Sequence, residues 1–119
     1  IIKPIDRDFG STIVIAQHMQ SSYLKSFAKQ LNNNSKIDVV PTQDNMRLNP
    51  KTIYILDENY ELREKNRELI FHKSEKLLNY SPNINLLFNS VAQLTNSIKM
   101  ICFVLTGIGD DGAKGAFEL

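Results

Sequence analysis

The chain has 119 residues, 42% of them hydrophobic, with 14 Lys and Arg against 13 Asp and Glu and a formal net charge of +1. That composition supports a packed core within one domain or part of one, and it excludes a chain too polar to fold. The basic residues are spread along the sequence, which disfavours a nucleic-acid surface because that needs a clustered basic face.

Residues 1–11 read as a loop punctuated by Pro4 and Gly10. Residues 12–17 are a continuous apolar run that suits a strand buried on both faces. Tyr23, Leu24, Phe27, Ala28 and Leu31 recur at helical spacing and predict a helix from Ser22 to about Leu31, capped by Ser21 or Ser22. Asn32 to Ser35 is expected to end it. Ile37 to Val40 predicts a short strand before Pro41, residues 42–50 a polar loop, and residues 52–56 a further strand. The alternation around Leu69 and Phe71 predicts a hairpin between 60–63 and 68–72, although its turn lacks a glycine. After a loop at 73–83 containing Pro82, a helix is predicted from Ile84 to Ser97. It presents Leu87, Val91 and Leu94 on one face, with Ile84, Phe88 and Ala92 beside it. Residues 100–105 predict the last strand. Strands alternating with helices imply an α/β fold: a doubly wound, mostly parallel sheet with flanking helices and a small antiparallel hairpin, Rossmann-like and truncated at both ends. The chain starts at Ile1 and stops at Leu119, soon after Gly112 where a helix is starting. It therefore reads as an internal portion of a larger domain.

No run of about 18 apolar residues is present for a span, and residues 1–10 lack the apolar region of a signal peptide. The lone Cys102 rules out an internal disulfide and fits a reducing cytoplasm.

Two polar residues follow apolar, β-branched runs. His18 comes after Thr12 to Gln17, and Asp111 comes after Ile101 to Leu105. In open parallel sheets ligands bind beyond the carboxyl ends of the strands. A base and a carboxylate delivered there could form two members of a Ser/His/Asp triad, the carboxylate fixing the imidazole tautomer. Gln17, Met19 and Asp110 flank this pair. Gly107, Gly109 and Gly112 match the spacing of a dinucleotide fingerprint between a strand and a helix. Asp110 and Asp111 inside it would repel a pyrophosphate, so a tight turn whose own backbone N–H groups hold Asp111 is the better reading. A plainer role for Asp110 or Asp111 is to cap the following helix. A His after a strand is by itself more often structural, and His72 reads as a surface residue. No serine lies in a glycine-rich turn that would expose a nucleophilic hydroxyl: Ser11 precedes a strand, Ser21 and Ser22 read as caps, and Ser26 and Ser90 lie within helices. Cys102 reads as a small strand hydrophobe. No Cys/His spacing suggests a metal.

Three segments carry a resemblance to a known family. They are Ile15-Ala16-Gln17-His18-Met19 with the helix bearing Tyr23, Phe27, Ala28 and Leu31; Leu87-Phe88-Asn89-Ser90-Val91-Ala92; and Val104 to Ala113. Across nearly all 119 residues the chain resembles the catalytic domain of the CheB family, the chemotaxis receptor methylesterases and glutamine deamidases. The resemblance implies that His18 is the general base, that Asp111 orients it, and that the loop Gly107, Ile108, Gly109 supplies oxyanion-hole backbone N–H. It implies no cofactor, a cytoplasmic location, and the methylated cytoplasmic helices of a chemoreceptor as partner. The sequence departs from the family at several points. Ile108 replaces a Met and Asp110 an Asn, which adds a negative charge beside the triad carboxylate. Tyr54-Ile55-Leu56-Asp57 replaces a Tyr-Ile-Ala-Pro at the rim, and Leu77 to Ser81 is nearly uncharged where the family is Arg-rich. The family's nucleophilic Ser follows a strand upstream of the His, and residues 1–11 leave no room for it. Residues 1–119 are thus expected to form a single partial catalytic domain without a receiver domain, inactive alone. A nucleotide-binding module using the 107–112 loop and a non-catalytic adaptor of the same fold are the competing readings.

Overall fold

A computed structural model describes residues 4–94, 96–105 and 109–119. Three short parallel strands form its sheet: β1 (Ile13–Ile15), β2 (Asp38–Pro41) and β3 (Thr52–Ile55), in the order β1-β3-β2. Val14 and Val40 both lie in register with Tyr54. Side chains alternate across a strand, so β3 sends Ile53 and Ile55 to one face and Tyr54 to the other. On the first face they meet Leu24 and Ala28 of α1 (Ser21–Asn34), with Ile37 and Val39. On the second face Tyr54 and Leu56 join Tyr60, Leu62, Phe71, Leu87, Phe88 and Val91. Apolar cover on both faces is what a parallel sheet requires.

That second core is closed by an antiparallel hairpin, β4 (Tyr60–Lys65) and β5 (Glu68–Lys73), and by α2 (Ile84–Ala92). The hairpin turns through Asn66 (φ 53) and Arg67 (φ 65), both left-handed. Two such residues make the turn that matches strand twist, here without the usual glycine. Asn83 caps α2, its side chain accepting from the Leu86 N–H at 2.8 Å. The Ser81–Pro82 peptide before it is cis. A last helix, α3 (Ala113–Glu118), starts from Gly112 at φ 94.

Several sequence expectations are corrected. β1 spans three residues and is half-buried, because it is an edge strand with β3 as its partner among the described residues. α1 begins one residue earlier than predicted and runs through Asn34; Gln20 is its N-cap, so neither Ser21 nor Ser22 caps it. α2 stops at Ala92, well short of Ser97. There Leu94 N–H turns back to the Val91 carbonyl at 2.9 Å and Ser97 N–H to the Leu94 carbonyl at 2.8 Å, so the chain continues in tight turns instead of the α-helix. The largest correction concerns residues 101–105, which form no strand and leave Ile101 80% and Phe103 78% exposed. Apolar β-branched residues become a strand only when a neighbour completes the ladder, and no described residue pairs with them.

Tyr60 sits in the second core at 3% exposure, its hydroxyl donating to the Thr42 carbonyl at 3.4 Å. Burial, helped by the nearby Asp57 carboxylate, pushes its phenol from an ordinary 10.0 up to about 12. The unfolded chain therefore loses this proton first. Stability present below about pH 10 is expected to fall as pH rises towards 12. Urea midpoints measured through that range should show the decline, and Tyr60→Phe should flatten it; an unchanged slope in the variant would refute the assignment.

Candidate active site

The two residues singled out by the sequence meet. His18, just beyond β1, places Nε2 2.7 Å from Oδ2 of Asp111, which precedes α3. The Asp111 side chain is fully buried and the His18 side chain 13% exposed. A carboxylate can only accept, so Nε2 carries the hydrogen and Nδ1 keeps the free lone pair.

Asp111 is held by a different set of donors from the one expected. Its Oδ2 also accepts from the Ile84 N–H at 2.8 Å, and its Oδ1 from the Asn85 N–H at 2.9 Å. These are the first two amides of α2, which have no partner within their own helix. The positive end of the helix dipole faces the carboxylate. Asp111 therefore caps α2 across the fold, and the helix that follows it starts from Gly112 with no side-chain cap. Asn85 braces the junction in return, its Oδ1 accepting from Gly112 N–H at 3.0 Å and Gly115 N–H at 2.7 Å. Gly115 is required by contact: a Cβ there would lie 2.6 Å from Phe88 Cβ.

His18 opens onto a shallow groove of about 490 Å³ lined also by Met19, Gln20, Ser21, Asp57, Glu58 and Ser81. Met19 lines this groove and packs on the α1 side of the core. Gln17 and Asp110 are exposed and take no part in the His18–Asp111 contact. The Asp110 carbonyl accepts the Ala113 N–H at 3.2 Å. Gly109 sits at φ 61 with the Tyr80 hydroxyl where a Cβ would be. Gly107 and Ile108, the other residues of the expected oxyanion loop, lie outside the described residues. His72 is half-buried in β5 opposite Glu61. Desolvation raises the Cys102 thiol above its ordinary value, so little thiolate forms at neutral pH and it makes a poor nucleophile.

Sequence reasoning missed Asn85, Glu58 and the contact of Tyr80 with His18, while Asp57, expected at the rim, does line the groove. Asn83 and Asn85 leave a trace as polar residues at the start of α2. Asp57 follows the end of β3, where it accepts from Thr42 Oγ1 at 3.3 Å. Glu58 pairs with Lys73. Together they place negative charge along one wall of the groove.

A family model described as CheB methylesterase matches residues 1–119. A Thermotoga maritima protein described as protein-glutamate methylesterase/protein-glutamine glutaminase is 32% identical over 123 residues, covering 100% of this chain and 36% of that protein. One from Borreliella burgdorferi with the same description is 36% identical over 111 residues, covering 90% of this chain and 29% of that protein. The crystal structure of the Thermotoga maritima CheB methylesterase catalytic domain superposes with a TM-score of 0.87 at 34% identity, covering 99% of this chain and 64% of that one. The chain thus spans about a third of the length of the curated relatives it matches.

Proposed function

The chain belongs to the CheB methylesterase family, and from that premise we propose that it carries the base and the orienting carboxylate of a protein-glutamate methylesterase that also deamidates glutamine. The substrate is the methylated cytoplasmic helical bundle of a chemoreceptor, and the role is chemotactic adaptation. The observation that supports this most directly is the 2.7 Å contact between His18 Nε2 and buried Asp111. It is the arrangement in which a carboxylate orients an imidazole and stabilises the imidazolium.

In the proposed mechanism His18 Nδ1 takes the proton of a serine hydroxyl supplied by the protein outside residues 1–119. The serine oxygen attacks the γ-carbonyl of the glutamyl methyl ester. His18 then returns the proton to the departing methanol, and water, activated in the same way, frees the acid. Asp111 carries the compensating charge throughout. The family resemblance assigns the oxyanion role to the Gly107, Ile108, Gly109 loop. The residues need no metal or cofactor for this sequence of steps.

The test is methanol release from methyl-labelled receptor. The full-length protein is expected to release it, and His18→Ala to abolish that release. Residues 1–119 alone are expected to release none. Methanol from that polypeptide alone would show that one of its own serines is the nucleophile, and an undiminished rate in His18→Ala would sink the assignment of the base.

A further inference from the structure

The loop before α2 brings an aromatic ring to the base. The Tyr80 ring centroid lies 5.3 Å from that of His18, with the planes tilted by 40°. This separation is typical of interacting aromatic pairs. The Tyr80 hydroxyl meanwhile packs against Gly109, two residues before Asp111, so closely that any Cβ on Gly109 would collide with it. Tyr80 is itself fixed. It is half-buried, and it stands just ahead of fully buried Pro82 and of Asn83. Asn83 is tied down by its N–H donating to Asn59 Oδ1 at 2.8 Å and by its own capping of α2.

We propose that Tyr80 is a positioning residue for His18, clamping the imidazole face while Asp111 holds its Nε2 edge. The inference rests on the reading of His18 as the base. A histidine ring rotates about χ2 in a broad, two-fold well. One hydrogen bond at Nε2 leaves the ring free to swing or to turn over, which would present the wrong nitrogen to a serine. The Tyr80 face removes that freedom, while its hydroxyl only lies against Gly109 on the turn that leads to Asp111. Nothing in the composition or spacing of residues 77–81 announces this role, because the contact to His18 is made across the fold.

The experiment is nitrogen-15 NMR of the side-chain imidazoles in histidine-labelled protein. The chain contains two histidines, so His72 serves as an internal control. The wild type is expected to show His18 as one tautomer, protonated at Nε2, with well-separated Nδ1 and Nε2 shifts. Tyr80→Ala is expected to draw those two shifts together towards the averaged positions of free imidazole. Tyr80→Phe, which keeps the ring, is expected to restore them, and His72 to stay unmoved in every variant. Tyr80→Leu keeps bulk without an aromatic face and is read in the same way if the alanine variant fails to fold. A purely structural role would lower the melting temperature and leave the His18 tautomer as it was, and that result overturns the proposal. A phenylalanine variant that behaves like the alanine one overturns it as well. No ester is present, so the outcome is independent of whether the protein releases methanol.

Discussion

Asp111→Asn is expected to lower kcat for methyl-ester hydrolysis by the full-length protein by about 10⁴-fold, the loss seen when a triad carboxylate becomes an amide. The reason is local. The carboxylate accepts from His18 Nε2, Ile84 N–H and Asn85 N–H at once. An amide has one oxygen and turns an NH2 towards a donor. Either His18 loses its acceptor and moves its hydrogen to Nδ1, which then cannot serve as the base, or one α2 amide is left unsatisfied. A buried donor without a partner costs about 1–3 kcal/mol, so the variant should also unfold at lower urea. Steady-state kinetics beside urea melts separate the two effects. Wild-type kcat in a folded variant would remove Asp111 from the chemistry.

Phe71→Ala is expected to cost about 3–5 kcal/mol of stability, the range for emptying a large aromatic site in a packed core. Phe71 is completely buried. Its ring lies 5.2 Å from that of Tyr54 and 6.0 Å from that of Tyr60, in tilted and edge-on contacts. It thus joins the central strand β3 to the hairpin. Its backbone is engaged as well: its N–H donates to the Met46 carbonyl at 2.9 Å, and its carbonyl accepts from Asn45 N–H at 2.9 Å. A main chain pinned on both sides collapses poorly into the void, which places the cost towards the upper end. Chemical denaturation measures it. A loss below about 1 kcal/mol would mean that this core relaxes around the gap, contrary to the general cavity rule.

The elements legible in the sequence were those whose pattern is set by local packing. The run Thr52 to Leu56 announced a buried strand because β3 is flanked on both sides and covered on both faces. The hairpin was legible from the alternation around Phe71 although its turn lacks glycine. His18 and Asp111 were legible as a pair because each follows an apolar run, and they do meet. What the sequence hid depends on partners distant along the chain. Residues 101–105 carry a strand's composition, but a strand is completed by its neighbour. The donors that hold Asp111 come from α2, 27 and 26 residues earlier in the chain. The α2 terminus was overrun because Leu94 continues the apolar face beyond the point where the backbone turns. Tyr80 was invisible for the same reason: its partner His18 lies on another element.

The contact between His18 and Asp111 closes a span of 93 residues, and its consequence concerns the order of assembly. Bringing such distant segments together is entropically late, after the nearer pairings have formed. A chain that has assembled β1, α1, β2 and β3 already displays the His18 imidazole, yet nothing orients it at Nε2 until α2 and the Asp111 turn dock. Under the proposed function, the base would therefore be oriented only at the end of assembly, once both distant segments have docked.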